Sequence, residues 1–86
     1  MNRTKALRKP SSPITATLAA NIRAFREANS LSQEEFADMC GLHRTYVGSV
    51  ERGERNVTLS TLELFASVLG VSVPQLLTGK ALRQDR

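Results

Sequence analysis

The chain has 86 residues, 41% of them hydrophobic and 23% charged, a balance that fits one ordinary soluble domain and excludes a fibre or a pair of domains. One cysteine and one histidine exclude an internal disulfide framework and a four-ligand Cys/His metal site, and no run approaches the roughly 18 apolar residues of a membrane span. The net charge of +4 sits in the tails: residues 1–13 carry Arg3, Lys5, Arg8 and Lys9 with no acid, and residues 80–86 carry Lys80, Arg83 and Arg86 against Asp85. Residues 14–79 are net acidic, with five Arg against seven Asp and Glu, so any nucleic-acid binding must come from local placement of charge.

The first 13 residues join basic side chains to a Pro10-Ser11-Ser12-Pro13 break and read as a mobile basic arm. They also lack the apolar stretch of a secretory signal, so a reducing cytoplasm is the expected compartment. From Thr15, the residues Leu18, Ile22, Phe25 and Arg26 recur at helical spacing up to Asn29-Ser30, which predicts a first helix. Ser32-Gln33-Glu34-Glu35 has the pattern of a capping box, in which Ser32 and Glu35 satisfy each other's backbone amides. It opens a second helix that buries Phe36, Ala37 and Cys40 and stops at Gly41.

A third helical segment runs from about His43 to Arg52 and ends at Gly53. Thr58 caps a fourth, with Leu59, Leu62, Phe65, Ala66 and Leu69 on its apolar side and Gly70 at its end. Ser72-Val73-Pro74-Gln75 is a second capping box with Pro in the first turn, launching a short fifth helix through Leu76 and Leu77 to Gly79. No segment alternates as a strand does. The expectation is an all-α, five-helix bundle over 14–79, between an arm at 1–13 and a short basic tail at 80–86.

On a wheel of about 100° per residue, Val47, Val50, His43 and Glu51 share one side of the third segment. Arg44, Thr45, Gly48, Ser49 and Arg52 spread over the other. Gly48 costs about 1 kcal/mol against Ala inside a helix, so either a partner approaches closely there or a helix crossing is crowded. Two short helices joined by a Gly turn, the second with a polar outer face, form a helix-turn-helix whose second helix fits a major groove.

The stretch LSQEEFADMCGLHRTYVGSVERGER, continued by NVTLSTLELFASVLGVSVPQLL, resembles the phage-repressor (Cro/C1-type, XRE-like) helix-turn-helix regulators. The RTYV and ERGERN runs are particularly similar to the small controller proteins of restriction-modification systems. The resemblance covers about residues 17–78 and implies a lambda-repressor-like DNA-binding domain that acts as a sequence-specific transcriptional regulator. It further implies that Gln33, at a helix N-terminus suited to anions, anchors a DNA phosphate, and that Arg44, Thr45 and Ser49 stand at base-reading positions. Arg can take guanine O6 and N7, Thr can meet a thymine methyl, and Ser is an undiscriminating donor or acceptor; a phosphate clamp is the other reading of Arg44.

His43 replaces the small cap residue common in such proteins and reads as a cap or a phosphate neighbour. Arg52 and Arg55 fall along the sugar-phosphate edge, and the Tyr46 ring packs against the turn with its hydroxyl towards a phosphate or water. Glu51, on the Val47 side, and Arg26, beside Ile22 and Phe25, match positions that relatives pair in a partly buried ion pair. Cys40 reads as a small core residue, since Glu35 and Asp38 offer no thiolate stabilisation.

One recognition helix reads few base pairs, so a homodimer on two half-sites is expected, with Val71, Val73, Leu76, Leu77 and also Leu82 as interface candidates. The arm is expected to reach phosphates on DNA or to remain a solvated tail. No residues are left for an effector domain, so regulation would follow occupancy. The expected partner is double-stranded DNA, with no membrane and no small-molecule ligand. No cofactor is implied, and no phosphate loop, nucleophile-base pair or metal-ligand spacing points to an enzyme. The net acidic core keeps open a different class of function, a protein-interaction module such as an antitoxin or coactivator adaptor on the same scaffold.

Overall fold

A computed structural model describes residues 9–79; most of the basic arm, and the tail with Leu82, lie outside the described residues. Those residues form five helices and no strand: α1 (Ser12–Ala28), α2 (Gln33–Cys40), α3 (Arg44–Glu51), α4 (Leu59–Leu69) and α5 (Val73–Leu76). The first helix begins earlier than its apolar pattern suggests. Ser11 takes the N-cap position in extended backbone and Pro13 lies in the first turn, where a missing amide loses no partner. The Pro-Ser-Ser-Pro run therefore starts α1 instead of separating an arm from it.

Both capping boxes form. Ser32 Oγ accepts from the Glu35 amide at 3.0 Å while Glu35 Oε1 accepts from the Ser32 amide at 2.8 Å, and Ser72 with Gln75 repeats the arrangement at 3.2 and 2.8 Å. These reciprocal bonds satisfy amides that helix starts leave orphaned. They allow an eight-residue and a four-residue helix, each too short to persist alone, to hold against the core.

Phe36 of α2 is the centre of that core. Its ring meets Phe25 of α1 edge-on at 5.9 Å and lies nearly parallel to Phe65 of α4 at 6.0 Å, both within the range of favourable aromatic pairs. Ile22, Val47, Val50 and Leu76 complete the fully buried set. Buried Asn21 closes the far end, its Nδ2 donating to the Leu76 carbonyl at 2.8 Å and the Thr78 carbonyl at 3.1 Å, groups a four-residue helix leaves without helical partners.

This closure corrects one expected interface residue. Leu76 is fully buried inside its own chain and has no surface for a partner, whereas Val71, Val73 and Leu77 are half-buried against the core. Leu59, placed by spacing on the apolar side of α4, is 78% exposed, because the first residue of a helix precedes the part that the core covers. No helix among the described residues is long and apolar enough to cross a membrane.

Candidate nucleic-acid interface

The turn between α2 and α3 is built from Gly41 to His43. Gly41 adopts a left-handed φ of 70°, accessible to glycine without the Cβ clash other residues meet, and the Leu42 amide returns to the Ala37 carbonyl at 2.9 Å. His43 then caps α3 by accepting the Thr45 amide at Nδ1, 3.0 Å away. That bond uses the imidazole as an acceptor and leaves its Nε2 edge exposed. Val47 and Val50 anchor α3 from behind, with exposures of 0% and 2%.

A buried ion pair fixes the orientation of α3 on α1. Arg26 Nε donates to Glu51 Oε2 at 2.8 Å and Arg26 Nη2 to Glu51 Oε1 at 3.0 Å, a two-pronged arrangement that suits the planar guanidinium. Gln33 Nε2 donates to the same Oε1 at 3.1 Å, Arg26 Nη1 reaches the Leu31 carbonyl at 3.0 Å, and Arg23 Nη2 reaches the Glu51 carbonyl at 2.6 Å. Burial alone would push the Glu51 carboxyl up; the hydrogen bonds from Arg26 and Gln33 and the charges of Arg26 and Arg23 outweigh it and hold the carboxyl below its ordinary value. The network joins α1, the start of α2 and the end of α3 through one carboxylate.

The outer face of α3 is narrower than the wheel implies. Arg44, Thr45 and Arg52 are exposed, but Gly48 and Ser49 are buried along with Val47, Val50 and Glu51. A Cβ at Gly48 would stand 3.3 Å from Arg52 Nη1 and 3.4 Å from Gln33 Oε1, a close fit against the ends of two side chains. Ser49 as a base reader is corrected. Its hydroxyl donates to the Tyr46 carbonyl at 2.7 Å and accepts from Arg55 Nε at 2.8 Å, so its one donor is spent within the chain and the residue is buried. Arg55 lies over the Tyr46 ring, 4.8 Å from its centroid, within range of a cation–π contact.

Gln33 is half-buried and spends one amide hydrogen on Glu51, leaving one for an anion at the start of α2. Arg52 is exposed and pairs with Glu54 at 3.1 Å, a surface pair that contributes little. Cys40 is buried and desolvation pushes its thiol up to about 11, which makes it inert. Spacing did not reveal Arg23 or Asn21, whose polar side chains reach across the fold; an Asn in the middle of an apolar helix face was the available signal.

A family model for the helix-turn-helix matches residues 22–76. The chain is 56% identical over 73 residues to the control protein C.SmaI of Serratia marcescens, covering 85% of this chain and 87% of that protein. Among solved structures, the hypothetical transcription factor NHTF from Neisseria superposes with a TM-score of 0.71 at 47% identity, covering 83% of each chain. The restriction-modification controller protein C.AhdI from Aeromonas hydrophila superposes with a TM-score of 0.65 at 40% identity, covering 72% of this chain and 94% of that one.

Proposed function

This chain belongs to the helix-turn-helix family of transcriptional regulators and control proteins, and from that premise we propose that it reads a two-fold DNA operator with α3 in the major groove. The observation that carries the reading is the exposure of Arg44 and Thr45 at the start of a helix whose opposite side is locked by Val47, Val50 and Glu51. A helix held in this way can present side chains to base edges without moving its own backbone, and Arg and Thr supply a guanine-directed donor pair and a methyl for thymine.

The phosphate contacts come from both sides of that helix. His43 Nε2, the Tyr46 hydroxyl, Arg52 and Arg55 line α3, and the free amide hydrogen of Gln33 joins the start of α2, where helix amides favour an anion. These positions explain how a net acidic core binds DNA: Arg44, Arg52 and Arg55 are exposed together, while Glu51 is turned inward and neutralised.

Two-fold pairing supplies the second half-site, about 34 to 36 Å from the first. Val71, Val73 and Leu77 are the residues that support it, since among the described members of the expected set these three are the ones that keep part of their surface exposed. Selection of bound duplexes from a random library tests the whole reading. The expected product is a symmetric site with half-sites one helical turn, or a multiple of it, apart; recovery of no common sequence would overturn it.

A further inference from the structure

The geometry points to Ser49 and the Tyr46 ring as positioning residues that hold Arg55 ready for a DNA phosphate. This rests on the proposed reading of DNA by α3. Ser49 follows Thr45 by one helical turn, so the two occupy the same side of α3, yet Thr45 is exposed and Ser49 is buried. What DNA meets at the place of Ser49 is the side chain of Arg55, brought there by the turn after α3. Arg55 is held at two points: Nε donates to Ser49 Oγ at 2.8 Å and the guanidinium carbon stands 4.8 Å from the centre of the Tyr46 ring.

The Ser49 hydroxyl is itself fixed by its bond to the Tyr46 carbonyl at 2.7 Å, so ring, carbonyl, hydroxyl and guanidinium form one closed arrangement. With Nε engaged, the two terminal amino groups of an exposed Arg55 are the donors turned to a phosphate, whose geometry the guanidinium fork matches. A side chain ordered before binding loses less freedom on binding. Ser49 therefore raises affinity without reading sequence.

A double-mutant cycle on a duplex that the wild-type protein selects from a random library separates this role from base reading, with affinity and its salt dependence measured for each variant. Ser49→Ala is expected to weaken binding roughly two- to tenfold, the cost of ordering one long side chain on binding, and equally on all single base-pair variants of the duplex. Its salt slope stays at the wild-type value. Arg55→Ala reduces the slope by about one, and in that background Ser49→Ala has no further effect.

Arg55→Lys keeps Ser49 in the chain and removes the Nε bond to it; it keeps the charge and the slope but loses affinity as Ser49→Ala does. An equal Ser49→Ala loss with and without Arg55, a loss confined to one base pair, or wild-type affinity for Arg55→Lys would overturn the inference while leaving DNA reading by α3 intact. A wild-type protein that selects no duplex would remove the reading itself, and this inference with it.

Discussion

Arg26 and Glu51, twenty-five positions apart in the chain, meet in a two-pronged ion pair at 2.8 and 3.0 Å, with side-chain exposures of 17% and 4%. The pair joins the first helix to the end of the third, so the orientation of α3 depends on a contact made between helices, away from its exposed side chains. Its value lies in what its loss exposes: a buried carboxylate without its cation is far more costly than the intact pair is favourable.

Arg26→Ala is accordingly expected to destabilise the protein by about 3 to 5 kcal/mol. In a domain of this size each kcal/mol corresponds to about 4 to 8 °C in melting temperature, so thermal unfolding followed by circular dichroism should show a fall of more than about 10 °C. An unchanged midpoint would show that the pair holds nothing in place.

The same carboxylate sets an acid limit. The folded state holds Glu51 below its ordinary value of about 4.5, so the unfolded chain takes up its proton first as pH falls. The stabilisation is complete above that ordinary value and is lost as pH drops through the lower folded value. Unfolding free energy measured from pH 7 to pH 3 should decline on this account, and Glu51→Gln, less stable at neutral pH, should show a shallower decline. Parallel curves for the two proteins would assign the acid sensitivity to other groups.

Arg44→Ala should change which sequence is bound as well as how tightly. Loss of a two-donor contact to guanine removes about 1 to 3 kcal/mol of discrimination at one base pair, visible as a flattened preference at that position in repeated selection. A uniform loss over all sequences, with a salt slope lowered by about one, would assign Arg44 to a phosphate.

Removal of residues 1–8, with Arg3, Lys5 and Arg8, tests the arm without touching Ser11 or Pro13, which belong to the start of α1. If the arm neutralises phosphates, the dependence of log affinity on log salt becomes shallower by about 0.9 for each phosphate released. An identical slope would leave the arm without a part in binding.

Local chemistry made most of the fold legible in the sequence. The Ser32/Glu35 and Ser72/Gln75 boxes and the glycines at 41 and 70 act within four or five residues, so they place helix ends whatever lies elsewhere. Helical spacing marked Phe36, Val47, Val50 and Phe65 as core for the same reason. The start of α1 was misjudged because Pro13 is compatible both with a chain break and with a first turn.

The outer face of α3 was only half legible. A wheel gives the direction in which a side chain leaves its own helix and carries no information about what returns to cover it. Arg55 and Gln33 arrive from neighbouring segments against Ser49 and Gly48, which leaves Arg44, Thr45 and Arg52 as the exposed residues of that face. Leu76 was misplaced in the same way: its side chain is fully buried in the core and its carbonyl is bonded by Asn21 from α1.

From the order of residues alone, this protein has its helices, their ends and its helix-turn-helix, because caps, glycines and apolar periodicity act at short range along one segment. Which side chains on that helix stay free was decided only in three dimensions. There, one carboxylate ties its own helix to two others, and an arginine six positions away, Arg55, covers a serine that spacing had placed on the outer face. Solvent access belongs to the packed assembly of all segments and cannot be read from any one of them.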